Sequence, residues 1–327
     1  MTADLVWFAL ERDAGFVQDL SNALRAAPTA HEDRSFEDGE HKLRPLASVR
    51  GRDVYVVDSL YGQDGETVHD KLVKLLFFVG ALNDAAAARV TAVVPYLAYA
   101  RKDRKSRPRD PVSTRYVAQL MEAVGTHCVA TLDVHNLAAF QNAFRCRTEH
   151  LEANPLFVEH FAARVGTTPV TVISPDAGGI KRAEAFRQRL EQRLRQPVGM
   201  GFAEKHRSGG VVSGEAFTGD VDGRTVIVID DLIATGTTLA RTAETCRRRG
   251  AARVHCAATH GAFSPDANSA LATDAIASLV VTDSVPPLAI HAEAVRGKLE
   301  RLSCTGLVAE AIRRLHTDGS IVELLGQ

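Results

Sequence analysis

Two adjacent carboxylates, Asp230 and Asp231, end the β-branched run Val226-Ile227-Val228-Ile229, and the chain continues as Leu232-Ile233-Ala234-Thr235-Gly236-Thr237-Thr238-Leu239. The run has the length and branching of a strand buried on both faces, so its polar groups emerge at the carboxyl end, where open α/β sheets bind ligands. From Ala234 to Thr238 the loop offers backbone N–H groups and threonine hydroxyls, and Gly236 permits close approach. A phosphate monoester suits such a cradle. Paired carboxylates at a sheet edge repel unless a cation or a sugar uses them.

Other residues with chemistry follow other apolar runs. After Val94 come Tyr96 and Tyr99 and then six cations, Arg101, Lys102, Arg104, Lys105, Arg107 and Arg109, interrupted by Asp103. Such a run is a solvated loop, a nucleic-acid patch or a polyphosphate site; its place after a buried strand favours the last, because arginine forks and a lysine suit a nucleoside triphosphate. Asp133 and His135 follow Leu132 and are candidate magnesium partners, against the ordinary case of a histidine satisfied within the fold. Asp176, in Ser174-Pro175-Asp176-Ala177-Gly178-Gly179, could hold a metal or a sugar hydroxyl, or belong to a helix-capping region. Lys205 and Arg207 flank His206 before Gly209-Gly210, as in an active-site lid or an exposed loop. Phe36, Asp38, Gly39 and Glu40 combine a ring with carboxylates, enough to stack and hydrogen-bond a purine.

The elements that would position these groups alternate. Apolar runs at 54–57, 90–94, 129–132, 170–173, 226–229 and 254–258 are separated by helical stretches, which predicts α/β architecture with mostly parallel sheets. Leu72, Leu75, Leu76, Val79 and Leu82 recur at helical spacing, as do Leu239, Ala243 and Cys246 before Gly250, and Val308, Ala311, Ile312 and Leu315 mark a closing helix. The polar segment Ala143–Asn154 breaks the rhythm and places a boundary near residue 152. Two α/β units, sharing a strand, loop, helix order, are expected.

Bulk composition narrows the function classes. At 327 residues the chain accommodates two cores, and 39 basic against 40 acidic residues, a formal charge of −1, give no bulk attraction to nucleic acid or membrane. Five scattered cysteines without CxxC spacing indicate neither a disulfide framework nor a zinc cage. With no signal-peptide pattern and no apolar run of about 20 residues, a soluble cytoplasmic protein is expected.

The stretch 226–239 resembles the phosphoribosyl pyrophosphate (PRPP) loop shared by type I phosphoribosyltransferases and PRPP synthetases. Taken in order, Phe36-Glu-Asp-Gly-Glu40, Tyr99-Ala-Arg101, Asp133-Val-His135, Ser174-Pro-Asp-Ala-Gly-Gly179, Lys205-His-Arg207 and the PRPP loop resemble the PRPP synthetase, or ribose-phosphate diphosphokinase, family over nearly the whole chain. The resemblance implies two similar phosphoribosyltransferase-like domains: 1–152, joined by the closing helix 305–327, on the ATP side, and 153–304 with the PRPP loop. It also implies transfer of the β,γ-diphosphoryl group of Mg-ATP to ribose 5-phosphate.

In those roles Asp230, Asp231, Ala234, Thr235, Gly236, Thr237 and Thr238 would hold ribose 5-phosphate. Phe36, Asp38, Gly39, Glu40, Arg101 and Lys102 would bind ATP, and Asp133, His135 and Asp176 would place Mg2+. Lys205 and Arg207 would be catalytic. The family often binds adenine across a subunit interface, which implies a homo-oligomer, a dimer or a hexamer built of dimers; Ser48 and Arg50 resemble part of its phosphate and ADP regulatory site. A phosphoribosyltransferase would explain 226–239 but not the basic loop or the lid, and a catalytically weak regulatory subunit is the other alternative. Where the family usually has glutamine after the arginine of the basic loop, this chain has Lys102. It reads Ala-Thr-Gly-Thr-Thr for Asp-Thr-Gly-Gly-Thr, so Thr237, being β-branched, must avoid left-handed geometry. Val68-His69-Asp70 stands where an asparagine-aspartate pair is usual.

Overall fold

The computed structural model describes residues 5–63, 65–208 and 211–325, and the side chains of 204–216 lie outside that description. The chain divides into two compact units, one of residues 1–152 with 304–327 and one of residues 153–303. The first contains β1 (Val6–Ala9), α1 (Ala14–Leu24), β2 (His31–Ser35), β3 (His41–Pro45), β4 (Asp53–Val57), α2 (Val68–Asp84), β5 (Arg89–Val94), α3 (Ser113–Ala123), β6 (Cys128–Leu132), α4 (Leu137–Ala143) and β7 (Arg147–Leu151). The second contains α5 (Asn154–Val165), β8 (Val170–Ser174), α6 (Ile180–Leu194), β9 (Val198–Ser208), β10 (Val211–Thr218), β11 (Thr225–Leu232), α7 (Thr237–Arg248), β12 (Arg253–His260), α8 (Ala267–Ala270), β13 (Ser278–Thr282), α9 (Glu293–Arg296) and β14 (Leu299–Leu302). The chain then contributes α10 (Thr305–His316) and α11 (Ile321–Leu324) to the first unit.

In the first unit β1-β4-β5-β6-β7 form a wholly parallel sheet, and β2 and β3 pair with one another as a separate antiparallel hairpin. Parallel neighbours need crossovers, which the helices supply, and the helices bury the sheet. Accordingly, Leu72, Leu75, Leu76, Val79 and Leu82 of α2 pack with Phe8, Val56 and Val94 in one core. The α2 start is fixed by a capping box: Asp70 N–H donates to Thr67 Oγ1 at 3.2 Å, and Thr67 N–H to Asp70 Oδ2 at 2.7 Å. Asp70, in the segment that departs from the family pattern, is thus a capping residue here.

In the second unit the order is β10-β9-β8-β11-β12-β13-β14, parallel except for β10 against β9. All six apolar runs are strands. The polar stretch after residue 143 is not a break, however: Arg147-Thr-Glu-His-Leu151 is β7, paired among the described residues with β6 alone. An edge position with only Leu151 buried lets a strand carry such a composition. No helix among the described residues is long and apolar enough to cross a membrane.

Candidate functional site

The candidate residues lie on both units: Asp230, Asp231, Asp176, Asp133, His135 and Arg101 follow or end parallel strands, whereas Phe36 to Glu40 join an antiparallel pair and Lys205 with Arg207 lie on one. In the second unit, β11 runs between β8 and β12, and Val226–Ile229 are at most 3 % exposed. Asp230 and Asp231 are the first ionisable groups at its carboxyl end. Arg182, from α6, lies 3.5 Å from Asp230 Oδ1 and 3.1 Å from Asp231 Oδ1 through Nη1. Burial and the adjacent Asp231 push the Asp230 carboxyl well above the usual carboxylate range, while Arg182 pulls it down. This arginine is the cation that paired carboxylates demand, and sequence reasoning missed it. Its signal was slight: a basic pair, Lys181-Arg182, opening the helix after Gly178-Gly179.

Between β11 and α7 the chain turns at Gly236, whose φ of +74° is left-handed and whose Cβ, if it had one, would lie 2.5 Å from Leu271 Cγ. Both facts select glycine. Thr237 opens α7 and carries no positive φ, so the β-branched residue sits where its backbone is unstrained. Ile233 N–H donates to His260 O at 2.9 Å and Ser264 N–H to Ala234 O at 3.0 Å, which moors the loop to the end of β12 and the segment beyond it. Thr235, Thr237 and Thr238 remain exposed beside the uncapped start of α7, an anion cradle in its physical make-up.

Asp176 is exposed after β8 and accepts from Gly179 N–H at 2.9 Å, while Ser174 Oγ donates to the Asp176 carbonyl at 2.6 Å. Asp176 thus folds back on its own turn, while the start of α6 at Gly179 has no side-chain cap among the described residues. Lys205 and Arg207 lie on β9, opposite Glu215 and Val212 in the β9–β10 register. The segment Glu204–Ser208 is thus strand rather than the loop its charges suggest, held by antiparallel pairing with the β-branched start of β10. The side chains of Lys205 and Arg207 lie outside the described residues.

In the first unit the basic loop joins β5 to α3. Among the described residues no hydrogen bond or ion pair engages Arg101, which is exposed. Lys102 Nζ donates to Asp110 Oδ2 at 2.6 Å, and Asp110 also accepts from Ser106 and from Arg107 N–H. These bonds, that from Lys102 foremost, hold the Asp110 carboxyl down at about 2. Asp103 accepts from Asn136 Nδ2 at 2.7 Å, bringing this loop to the segment that carries Asp133 and His135 after β6. Asp133 has φ +38°, and Tyr99 and Arg109 have φ +62° and +69°. Left-handed non-glycine residues are costly, and three of them fall in the segments after β5 and β6.

Phe36, Asp38, Gly39 and Glu40 form the tip of the β2–β3 hairpin. Phe36 N–H donates to Glu40 O at 2.7 Å, Gly39 takes φ +91°, and Glu40 N–H donates to Asp38 Oδ1 at 3.0 Å. Phe36 is exposed, with the Arg34 guanidinium 5.0 Å from its ring centre. Asp133 and His135 belong to the first unit and Asp176 to the second. Among the described residues no group of three or more His, Cys, Asp or Glu is placed to hold a metal ion.

Residues 5–125 match the family described as the N-terminal domain of ribose phosphate pyrophosphokinase, and residues 212–326 match the phosphoribosyl synthetase-associated domain. A ribose-phosphate pyrophosphokinase of Pasteurella multocida is 37% identical, with 88% of each chain covered. One of Parasynechococcus marenigrum is 33% identical, covering 98% of this chain and 93% of its own. The crystal structure of phosphoribosylpyrophosphate synthetase from Mycobacterium smegmatis superposes with a TM-score of 0.86 at 31% identity, covering 97% of this chain and all of that one. The chain belongs to the ribose-phosphate pyrophosphokinase family.

Membership from residue 5 onward excludes the phosphoribosyltransferase reading, which accounted for 226–239 alone. It also turns the departures from the usual pyrophosphokinase pattern into questions of geometry. Lys102, which stands where the family usually has glutamine, is paired within its own loop with Asp110. Thr237 leaves the left-handed turn to Gly236. The methyl of Ala234 offers no polar group in place of the usual aspartate, so that carboxylate is absent from the loop.

Proposed function

We infer that this protein is a ribose-phosphate diphosphokinase, transferring the β,γ-diphosphoryl group of ATP to the C1 hydroxyl of ribose 5-phosphate to give PRPP and AMP. One observation carries the reading: a pyrophosphokinase chain ends its central strand in Asp230 and Asp231 beside an exposed threonine loop at a helix start. Thr235, Gly236, Thr237 and Thr238, with Ala234, hold the 5-phosphate through N–H and hydroxyl groups. Asp230 and Asp231 engage the ribose hydroxyls, presenting the C1 oxygen in line with the β-phosphorus. The C1 hydroxyl gives up its proton to solvent as its oxygen bonds to Pβ, the bond from Pβ to the α,β-bridging oxygen breaks, and AMP leaves carrying that oxygen.

The first unit serves as the nucleotide side. Phe36 stacks on the base, Asp38, Gly39 and Glu40 hydrogen-bond it, and Arg101, unengaged within its own unit, takes the phosphates with Lys102 close by. Lys205 and Arg207 stabilise the charge that develops on the transferring group. The donor set suits Mg2+, which binds through one or two carboxylates plus substrate phosphates rather than an all-protein cage. Asp133, His135 and Asp176 would hold it, directly or through water, and it would neutralise phosphate charge. If the hairpin serves a neighbouring subunit's nucleotide, the active unit is at least a dimer, which gel filtration of the active species would show. Small polar substrates and scattered cysteines suit a reducing cytoplasm.

Incubation with Mg-ATP and ribose 5-phosphate should yield PRPP and AMP in equal amounts; no product under any magnesium or phosphate condition overturns the reading. Lys205→Ala should lower kcat about 10²- to 10³-fold with little change in ribose 5-phosphate binding. Normal turnover in that variant would remove Lys205 from the catalytic machinery.

A further inference from the structure

A closed ring of ion pairs joins the β2–β3 hairpin to the body of the first unit. Arg12, just after β1, lies 3.5 Å from Asp33 on β2 and 3.1 Å from Glu66 before α2. Lys74 on α2 lies 3.3 Å from the same Asp33 and 2.7 Å from the same Glu66. Each cation bridges both carboxylates. Lys74 and Glu66 are buried, whereas Arg12 and Asp33 are exposed, so water screens the pairs to Asp33 in part and the Lys74–Glu66 pair least.

The platform under this ring is itself fixed. One turn earlier on α2, Lys71 is buried, donates to Ser59 O at 2.9 Å and lies 3.7 Å from Glu11 and 3.6 Å from Asp58. These partners follow β1 and β4, so α2 is referred directly to the strand ends. The hairpin has no such frame: among the described residues β2 and β3 pair only with each other. An isolated two-stranded ribbon is marginal by itself. Its remaining attachments are largely apolar, Leu43 in the core, His31 5.5 Å from the Phe78 ring and His41 stacked on Phe77. Apolar contact holds without fixing direction, and the charged ring supplies direction through Asp33, three residues before Phe36.

We propose that Arg12, Asp33, Glu66 and Lys74 form an ionic lock that sets the angle of the hairpin and thereby the position of Phe36, Asp38 and Glu40 on the nucleotide base. Asp33 and Lys74 are positioning residues in this scheme, and the proposal rests on the reading that the hairpin tip binds adenine. Asp33→Asn is the discriminating variant, because it releases the hairpin while Glu66 keeps both Lys74 and Arg12.

Hydrogen–deuterium exchange across residues 36–46 should quicken several-fold in Asp33→Asn, with the rest of the first unit unchanged. KM for Mg-ATP should rise about fivefold, the size of two partly screened ion pairs, with kcat and KM for ribose 5-phosphate within about twofold of the parent. Asp33→Glu should restore most of the loss, and the gap between variant and parent should narrow in about 0.5 M KCl. Unchanged exchange overturns the lock. Phe36→Ala separates the remaining failures: if it raises KM for Mg-ATP and Asp33→Asn does not, the lock does not position the base. If neither variant moves that KM, the base-binding reading falls, and the positioning role falls with it.

Discussion

The two parallel sheets treat charge at their carboxyl ends in opposite ways. In the first unit, Glu11 accepts from the Tyr61 hydroxyl at 2.5 Å and from Ser59 N–H at 3.1 Å, and with Asp58 it surrounds Lys71. The Lys71 ammonium also sits 3.6 Å from the Tyr61 ring centre. All of these groups are buried, and burial drives the Asp58 carboxyl well above its ordinary range despite the nearby lysine. In the second unit Asp230 and Asp231 share one arginine, and the threonines beside them face solvent. Charge enclosed on every side is a fastening, whereas at the second strand end Asp231 is buried but Asp230 is only partly covered, and the exposed threonines beside it are free to take up an anion.

Breaking the closed side should cost most. Lys71→Met leaves Glu11 and Asp58 buried without their cation, and should lower stability by about 3 kcal/mol or more in urea unfolding. Adding Asp58→Asn should recover part of that loss; a double variant no more stable than the single would show that Lys71 does not act through this carboxyl.

Removing the cation from the open side should alter pH dependence more than stability. Arg182→Leu takes away the group that lowers the Asp230 pKa, so the acid limb of kcat/KM should move to higher pH, because the proton must leave before the carboxylate acts. The stability sign is the reverse of the usual acid case. Asp230 binds its proton more tightly folded than unfolded, so its contribution is present at low pH and is lost as pH climbs through the window between the ordinary and the raised pKa. Asp230→Asn should therefore flatten the decline in stability across that window. An unmoved acid limb in Arg182→Leu would break the comparison on this side.

The smallest effect is expected at Lys102→Gln, which restores the residue usual in the family. Because Asp110 already balances Lys102 at 2.6 Å, KM for Mg-ATP should change by less than about twofold. A tenfold change would show that the charge reaches the nucleotide.

Much of this was legible because buried strands oblige their polar groups to appear at the ends. Val226–Ile229 announces a strand covered on both faces, and Asp230 is then the first position where a carboxylate can reach solvent. Polar strands were not legible: β7 reads Arg-Thr-Glu-His-Leu and β2 reads His-Glu-Asp-Arg-Ser, and both are strands through their neighbours' hydrogen bonds rather than through apolar burial. Arg182 was hidden for a different reason. Basic residues are common on α6, and only the helix's placement selects which of them meets Asp230 and Asp231. The tight pairing of Lys102 with Asp110 likewise depends on a loop that closes over eight residues.

The first unit is discontinuous, its last helices arriving after the whole of the second unit has been made. Helix α10 lies on α1, with Arg313 donating to the Ala23 carbonyl at 3.4 Å and His316 lying 3.4 Å from Asp53. On the ribosome, therefore, α1 emerges about three hundred residues before its partner, and the unit that begins synthesis first is the one completed last. Until α10 emerges, α1 lacks the helix against which it packs in the folded unit.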